Sequence, residues 1–293
     1  MKLSFITLDV FTTSRYAGNP LAIVQIPAGA VNTLSQAQKQ KIATEFNLSE
    51  SVFVHLPEST TGKDREHVVD IFTVEAELPF AGHPTVGTAF FLLKILGLPT
   101  DAIIEKAGRI PVSLDAVTGE AIADIPHEFH VHNITFKSTL SDTPAVCVSI
   151  VRGMSFVLVE LPDLSSLAQA SETLTKSNAS AVLDESWQTG FMATMYFVAQ
   201  GQDTFGRKAY RTRMFTEWME DPGTGAASCA LGCWLTLKES NVQSLRFALT
   251  QGVEMGRPNS ISLEVTKTAQ GSNIKNVALI GAAVKVMEGS LEI

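Results

Sequence analysis

The stretch ELPFAGHPT at residues 77–85 leads into an almost wholly apolar run, Thr85 to Leu96, which stops at a glycine. The stretch EDPGTGA at residues 220–226 likewise opens a run of small and apolar residues that continues to Leu237. An apolar run of this length predicts a helix, and apolar residues on all its sides indicate that the helix is buried. The sequence therefore predicts two buried central helices, each opened by a glycine turn.

Strand-like segments surround both predicted helices in a similar order. In these segments, apolar residues either alternate with polar ones or follow one another without interruption. A helix from about Leu34 to Phe46, capped by Thr33, is expected within the first set. The first set comprises residues 3–11, 21–26, 51–56 and 68–73. The second comprises residues 145–151, 156–161, 191–199, 208–215, 244–250, 261–265, 277–280 and 282–287, with a polar helical region at 164–184.

This order indicates an internal duplication, because Gly82 and Gly223 lie about half a chain length apart. We expect an α+β protein with two pseudo-symmetric domains, each a mostly antiparallel, barrel-like sheet wrapped around one central helix. The predicted domains are residues 1–125 and residues 126–281. The last strand, at about 282–293, is a candidate to complete the first domain. The active-site cleft is expected between the two domains.

Composition excludes several classes of protein. Acidic residues number 30 against 22 basic ones, so the net charge is −8 and nucleic acid is not an expected partner. The three cysteines lack CxxC spacing, which is typical of a reducing compartment. The N-terminus has a strand pattern and not a signal-peptide pattern, and the longest uncharged stretch is too short to span a membrane. We therefore expect a cytoplasmic protein with no membrane partner.

Each glycine turn places small residues at the start of a buried helix. The first N–H groups of a helix have no partner within it, and the helix dipole adds roughly half a positive charge there. Two such ends facing one cleft would hold a carboxylate or a developing enolate without a metal. The alternative is that both turns are purely structural, since glycine turns before helices are common.

The two stretches resemble signatures of the PhzF, or phenazine-biosynthesis-like, family. Further matches run in order along the chain: DVF at 9–11, GNP at 18–20, EFNLSES at 45–51, RMF at 213–215, QG at 251–252 and GRP at 256–258. The resemblance implies the diaminopimelate-epimerase-like fold, an isomerase without a cofactor, and a homodimer.

In the epimerase that gives this fold its name, the two turns carry a pair of cysteine bases. Here the matching positions are taken to be Ala81 and Pro222, which excludes a two-thiol mechanism. We expect Cys229 and Cys233, one turn apart in the second central helix, to be core residues.

The resemblance assigns the acid/base role to a glutamate that we match with Glu45. Glu45 is expected in the last turn of its helix, where the dipole disfavours a carboxylate, and desolvation would raise its pKa further. The alternative is an ordinary solvated glutamate. His83 and Asp221 are expected to hold the substrate and orient the protonatable groups. The expected substrate-binding residues are Asn19, Ser49, Gly82, Pro84, Thr85, Gly223, Thr224, Gly225 and Ala226.

These assignments predict an isomerase that moves a proton on a small, carboxylate-bearing unsaturated metabolite. Ala226 and Asn259 stand where the family more often has serine, which favours an altered substrate or a binding or regulatory protein without turnover. An epimerase with a non-thiol second base is the third possibility.

The segment HEFHVH at residues 127–132 is an alternative candidate site, one that could bind a metal ion. His130 and His132 would share one face of a strand, as metal ligands can. No cysteine or aspartate lies nearby in the sequence, and histidines on an exposed edge strand need no ligand. The prediction is therefore that the protein has no metal site.

Overall fold

The computed structural model describes residues 2–30, 34–58, 65–175 and 179–293. The chain divides into two compact units, one of Met1–Asp124 with Ile280–Ile293 and one of Ile125–Leu279. The sequence predicts a boundary between residues 125 and 126.

In the described residues, the first unit is a sheet with two helices. Its strands and helices are β1 (Lys2–Val10), β2 (Asn19–Ile26), α1 (Gln36–Phe46), β3 (Ser51–His55), β4 (Glu66–Phe72), β5 (Glu77–Leu78), α2 (Gly82–Phe90), β6 (Ala102–Glu105), β7 (Gly108–Leu114), β8 (Ala121–Asp124) and β18 (Ala283–Glu292). A 3-10 turn lies at Ala28–Ala30, and α2 continues into a π-helical turn at Phe91–Ile95.

The sheet of this unit runs in the order β18–β1–β2–β3–β4–β6–β7–β8. Among the strand pairs of this order in the described residues, β2–β3 and β4–β6 are parallel, and the chain between the two strands of each pair contains a helix, as is usual for a parallel connection. Helix α2 contacts β1, β2, β3, β7 and β8, and all nine of its residues are buried. The predicted apolar central helix is confirmed.

In the described residues, the second unit contains eight long strands, the last of which ends in the first unit, together with two helices and shorter pieces. They are β9 (His130–Phe136), β10 (Ala145–Val151), β11 (Met154–Glu160), α3 (Leu164–Gln169), a 3-10 turn (Ala179–Val182), β12 (Phe191–Gln202), β13 (Lys208–Phe215), β14 (Glu220–Asp221), α4 (Gly225–Lys238), β15 (Ser244–Gln251), β16 (Asn259–Lys267) and, ending in the first unit, β17 (Ile274–Gly281).

The second unit repeats the order of the first. Its strands pair as β9–β10–β11–β12–β13–β15–β16, with β11–β12 and β13–β15 parallel. Helix α4 contacts β10, β11, β15 and β16, as α2 contacts strands of its own unit. A short strand precedes each central helix and pairs in the same way in both units. β5 pairs with β4, with Glu77 opposite Phe72, and β14 pairs with β13, with Glu220 opposite Phe215. The predicted α+β fold of duplicated units around central helices is confirmed.

Two details of the predicted helices differ from the structure. Helix α1 is capped by Ser35, which accepts from the N–H of Gln38, while the predicted cap Thr33 lies outside the described residues. The polar region at 164–184 is mostly not helical: its described parts form only α3 and the short 3-10 turn. Helix α3 ends at Gln169, and the Arg213 guanidinium donates to three carbonyls at this end, those of Leu167, Ala168 and Ala170.

No helix within the described ranges is both long enough and apolar enough to cross a membrane.

Candidate active site

The first glycine turn starts α2 without a side-chain cap. Ala81 is the N-cap residue in an extended conformation, and the N–H of Thr85 makes the first bond back to its carbonyl at 3.2 Å. The N–H groups of Gly82 and His83 precede that bond, and Pro84 contributes no N–H. This end of α2 therefore presents donors and partial positive charge.

Two strand ends bring polar side chains to His83 at this helix start. Asn19 is the first residue of β2 and Glu50 directly precedes β3, which runs parallel to β2. The Nδ2 atom of Asn19 lies 3.5 Å from His83 Nδ1, and Glu50 Oε2 lies 3.4 Å from the same nitrogen. Both polar groups therefore lie within 3.5 Å of one nitrogen of the His83 ring.

Glu50 is a carboxyl group with little access to water. Its side chain is 18% exposed, and its Oε2 atom is buried with no hydrogen-bond partner among the described residues. Burial raises the pKa of Glu50 to about 6, and the neighbouring Ser49 partly offsets the rise. A carboxyl group with such a pKa is present in both protonation states near neutral pH, as a general acid/base requires.

Glu45 does not meet the requirement on which its assignment depends. It lies in the last turn of α1, as predicted, but its side chain is exposed, so the expected desolvation is wrong. No hydrogen bond or ion pair joins it to another residue in the described part of the chain. The motif EFNLSES contains two glutamates, and the structure brings the second one, Glu50, to His83.

Sequence reasoning missed a second buried carboxyl group at this turn, that of Glu105. Its Oε1 lies 2.6 Å from the Thr85 hydroxyl, which also lies 2.7 Å from the Ala81 carbonyl oxygen. The Thr85 hydroxyl has one proton. When it donates this proton to the Ala81 carbonyl, Glu105 must be protonated and donate to the Thr85 oxygen. Burial raises the pKa of Glu105 to about 8, so it carries that proton at neutral pH.

The second glycine turn is held by its own side chains. The Asp221 carboxylate accepts from the N–H of Gly223 at 3.3 Å and from the Thr224 hydroxyl at 2.5 Å. Gln251 accepts from the N–H of Thr224 at 3.1 Å and donates to the Asp221 carbonyl at 2.8 Å. Asn259 donates to the Pro222 carbonyl at 2.7 Å. Asp221 therefore fixes the turn before α4, whereas the sequence predicts that it orients the substrate.

The two helix starts correspond residue by residue. The Ser228 hydroxyl donates to the Thr224 carbonyl, as that of Thr85 does to Ala81. Ala81 therefore matches Thr224, and not Pro222 as the sequence comparison has it, while Ala226 stands at the position of His83. Neither cap residue is a cysteine. Burial raises the pKa of Cys147, Cys229 and Cys233, so these thiols are poor bases.

The predicted site residues fall into two groups, one in each unit. Asn19, Ser49, Gly82, His83, Pro84 and Thr85 belong to the first unit, and Asp221, Gly223, Thr224, Gly225 and Ala226 to the second. That the groups share one cleft stays a prediction.

The segment at residues 127–132 differs from its predicted environment. His130 and His132 share a face of β9, as predicted, but His132 is buried and hydrogen-bonded to Ser149. Asp184, distant in sequence, contacts both rings.

Two units of one plan, each a sheet around a central helix, form the fold that the sequence predicts, and a cysteine is the cap residue of neither central helix. The family model described as phenazine biosynthesis-like protein matches residues 8–289, and the chain belongs to this PhzC-PhzF family.

Relatives and solved structures agree with this membership. An uncharacterized isomerase of Mesorhizobium japonicum is 31% identical over 98% of this chain and 98% of its own. Trans-2,3-dihydro-3-hydroxyanthranilate isomerase of Pseudomonas aeruginosa is 27% identical over 97% of this chain and 98% of its own. The crystal structure of a Bacillus anthracis PhzF-family phenazine biosynthesis protein has the same fold, with a TM-score of 0.75 at 21% identity and 100% coverage of both chains. The prediction of an isomerase of this family is confirmed.

Proposed function

We propose that the protein moves a proton between two carbons of a small, carboxylate-bearing unsaturated metabolite, with Glu50 as the general acid/base. The observation that carries this proposal is the buried Glu50 carboxyl group, with its pKa raised to about 6, beside His83 at the start of α2. Glu50 replaces Glu45, whose exposure does not suit the role.

The proposed cycle balances without an oxidant or a cofactor. The Glu50 carboxylate takes a proton from a carbon next to a conjugated system, and the electron pair of the broken C–H bond enters that system. Glu50 then returns the proton to a second carbon. A shortening of the 3.4 Å separation between His83 Nδ1 and Glu50 Oε2 would let His83 donate to the ionised carboxylate and accept from the protonated one.

The start of α2 supplies the electrostatic part of the proposal. The N–H groups of Gly82 and His83 lie at the positive end of the helix, where they would stabilise a carboxylate or the negative charge that develops on the substrate. His83 is 4% exposed, so these groups act in a poorly solvated environment.

The relative from Pseudomonas aeruginosa suggests a first substrate to test. Its name specifies trans-2,3-dihydro-3-hydroxyanthranilate, a cyclic unsaturated carboxylate of the proposed class. Ala226 and Asn259 stand where the family more often has serine, so the panel should include related cyclic and aromatic acids. A homodimer and a cytoplasmic location stay predictions of the sequence.

The test is solvent deuterium incorporation into each acid of the panel, followed by NMR in D2O. We expect exchange with the unmodified protein and a loss of about 10²- to 10⁴-fold in Glu50→Gln. Glu45→Gln is the matched control and should exchange within about threefold of the unmodified rate. Exchange that survives in Glu50→Gln and disappears in Glu45→Gln would show that Glu45, and not Glu50, is the general acid/base.

Thermal stabilisation by one of these acids without any exchange would instead support a binding protein. A product of inverted configuration would support an epimerase.

A further inference from the structure

Three side chains of the second unit converge around one small volume. His130 and His132 lie two residues apart on β9, and Asp184 follows the 3-10 turn at Ala179–Val182. One possible ligand atom from each side chain lies within 4.8 Å of the other two. The Asp184 Oδ2 atom is 2.8 Å from His130 Nε2 and 3.7 Å from His132 Nδ1. We call this group the His130–His132–Asp184 cluster.

Outer hydrogen bonds orient the His132 ring of this cluster. Its Nε2 atom lies 2.8 Å from the Ser149 hydroxyl, which in turn lies 2.6 Å from the Ser155 hydroxyl. The backbone N–H of Asp184 points at Nδ1, at 3.4 Å, so Nδ1 accepts and Nε2 carries the proton. This fixed tautomer directs the Nδ1 lone pair towards Asp184. Metal-binding histidines are oriented in the same way, by a hydrogen bond from the second ring nitrogen.

The other two members of the cluster are also held in place. The His130 ring stacks on Trp187 with a centroid distance of 4.7 Å and an interplanar angle of 10°. The Asp184 carboxylate accepts from the backbone and side-chain amides of Asn133, both at 3.2 Å. The nearby cation of Arg152 is paired with Glu128 through two bonds of 3.0 Å. One negative charge and two imidazoles therefore face each other.

The cluster can be reached from solvent. The His130 side chain is 34% exposed and that of Asp184 is 22% exposed, whereas His132 is fully buried behind them. A cation would approach from the His130 and Asp184 side and meet the His132 nitrogen at the back. The sequence predicts no metal partly because no cysteine or aspartate adjoins the histidines along the chain, whereas in the structure Asp184 contacts both rings.

We propose that the His130–His132–Asp184 cluster binds a divalent transition metal ion of the zinc type. Two imidazoles with one carboxylate suit Zn²⁺, Co²⁺ or Ni²⁺, whereas Mg²⁺ and Ca²⁺ prefer oxygen ligands alone. Tetrahedral Zn²⁺ has bonds of about 2.0–2.2 Å, which place ligand atoms roughly 3.3–3.5 Å apart. Small side-chain shifts, in which His132 Nδ1 exchanges its long 3.4 Å bond from the Asp184 N–H for the ion, would bring the cluster to this spacing and leave one position for water. The ion would tie β9 to the segment that holds Asp184 and so stabilise the second unit.

The test uses tag-free protein that has been dialysed against a chelator, with Zn²⁺ titrated by calorimetry and Co²⁺ by visible absorption. The variants are His130→Ala and Asp184→Asn, because both residues are partly exposed and neither change removes a core side chain. His127→Ala is the matched control, since this ring lies in the same segment but bonds to the Ile125 carbonyl and is outside the cluster.

We expect one Zn²⁺ per chain, a Co²⁺ spectrum with imidazole ligation, and a rise of several degrees in the unfolding temperature with Zn²⁺. His130→Ala and Asp184→Asn should weaken binding at least about tenfold, while His127→Ala should not. Asp184→Asn keeps the shape of the side chain, so it tests the assignment even if His130→Ala fails to fold. No stoichiometric binding, or binding that both cluster variants retain, would overturn the proposal.

Discussion

At the residue scale, Glu105 has a neutral counterpart in the second unit. Glu105 is the last residue of β6, and Gln251 is the last residue of β15, which follows the other central helix. Each contacts the start of the central helix of its own unit, Glu105 through Thr85 and Gln251 through Thr224. A protonated glutamate has the shape and the donor of a glutamine. The duplicated unit thus supports the neutral form of Glu105.

Replacing Glu105 with Gln should therefore change the pH dependence of stability. The folded pKa of about 8 lies above the ordinary value of 4.5, so the stability that the bound proton contributes is complete below pH 4.5 and is lost as the pH rises to about 8. Glu105→Gln should match the unmodified protein at pH 5 and exceed it by roughly 4 kcal/mol at pH 9. Urea unfolding at both pH values measures this. The exposed Glu58→Gln is the control, and a Glu105→Gln curve that follows the control would contradict the assignment.

Gly223 and Asn259 form a second residue pair that can be tested. A Cβ atom on Gly223 would lie 2.3 Å from Asn259 Oδ1, and Asn259 cannot move away easily because its amide donates to two backbone carbonyls. Gly223→Ala should cost roughly 2–3 kcal/mol. Asn259→Ser frees the space, so the double variant should be more stable than the sum of the single changes predicts, by about 1 kcal/mol. Additive losses in thermal or urea unfolding would show that the two side chains do not compete.

At the element scale, α1 is attached to the sheet by a buried ion pair. Lys39 Nζ lies 2.6 Å from Asp70 Oδ2, to which His55 also bonds at 2.8 Å, and the Lys39 side chain is 6% exposed. Burial alone would raise the pKa of Asp70, but the hydrogen bonds from His55 and Lys39 outweigh it and lower this pKa. Asp70 is thus ionised at neutral pH. This attachment also fixes the segment after α1, which contains Glu50.

The two halves of this ion pair should respond unequally to substitution. Asp70→Asn leaves a buried ammonium without its carboxylate and should cost about 3–5 kcal/mol. Lys39→Met removes the charge and keeps the apolar chain, so it should cost less. Adding Lys39→Met to Asp70→Asn should recover part of the loss, as measured by urea unfolding. A double variant that is less stable than Asp70→Asn alone would mean that the pair does not account for the attachment.

The elements that the sequence predicted well are those with long regular patterns. β10, β13 and both central helices have uninterrupted apolar or alternating runs, and tertiary contacts did not change them. β6, β7 and β8 were not predicted, because Glu105 and Arg109 interrupt short runs with charges that only the folded sheet accommodates. The polar region after Leu164 resembles a helix, yet α3 ends at Gln169, where Arg213, which is distant in sequence, donates to the carbonyls of the helix end.

The site was predicted less completely, because its burial depends on distant parts of the chain. Glu45 and Glu50 lie in one motif, and sequence position favours Glu45 at a helix end. Only the approach of His83 and the pairing of β2 with β3 make Glu50 the buried one. Likewise, Asp184 joins the histidines of β9 from more than fifty positions away. Sequence spacing does not contain this information.

At the scale of the whole molecule, the first unit is completed by the end of the chain. β18 pairs with β1 over nearly its full length, from Lys2 opposite Glu292 to Val10 opposite Ala283. Most side chains of β18 are not buried, so it contributes mainly backbone hydrogen bonds. Its removal would leave β1 as an unpaired edge next to the core strand β2.

Truncation after residue 282 should therefore loosen the first unit and leave the second protected. The β1 amides that bond to β18 should exchange with solvent at least about tenfold faster, because their partner carbonyls are gone. The amides shared by β12 and β13 lie entirely in the second unit and should keep their protection. Hydrogen exchange with mass spectrometry separates the two sets of peptides. Equal loss of protection in both units would mean that they unfold as one cooperative body and that β18 supports the whole chain.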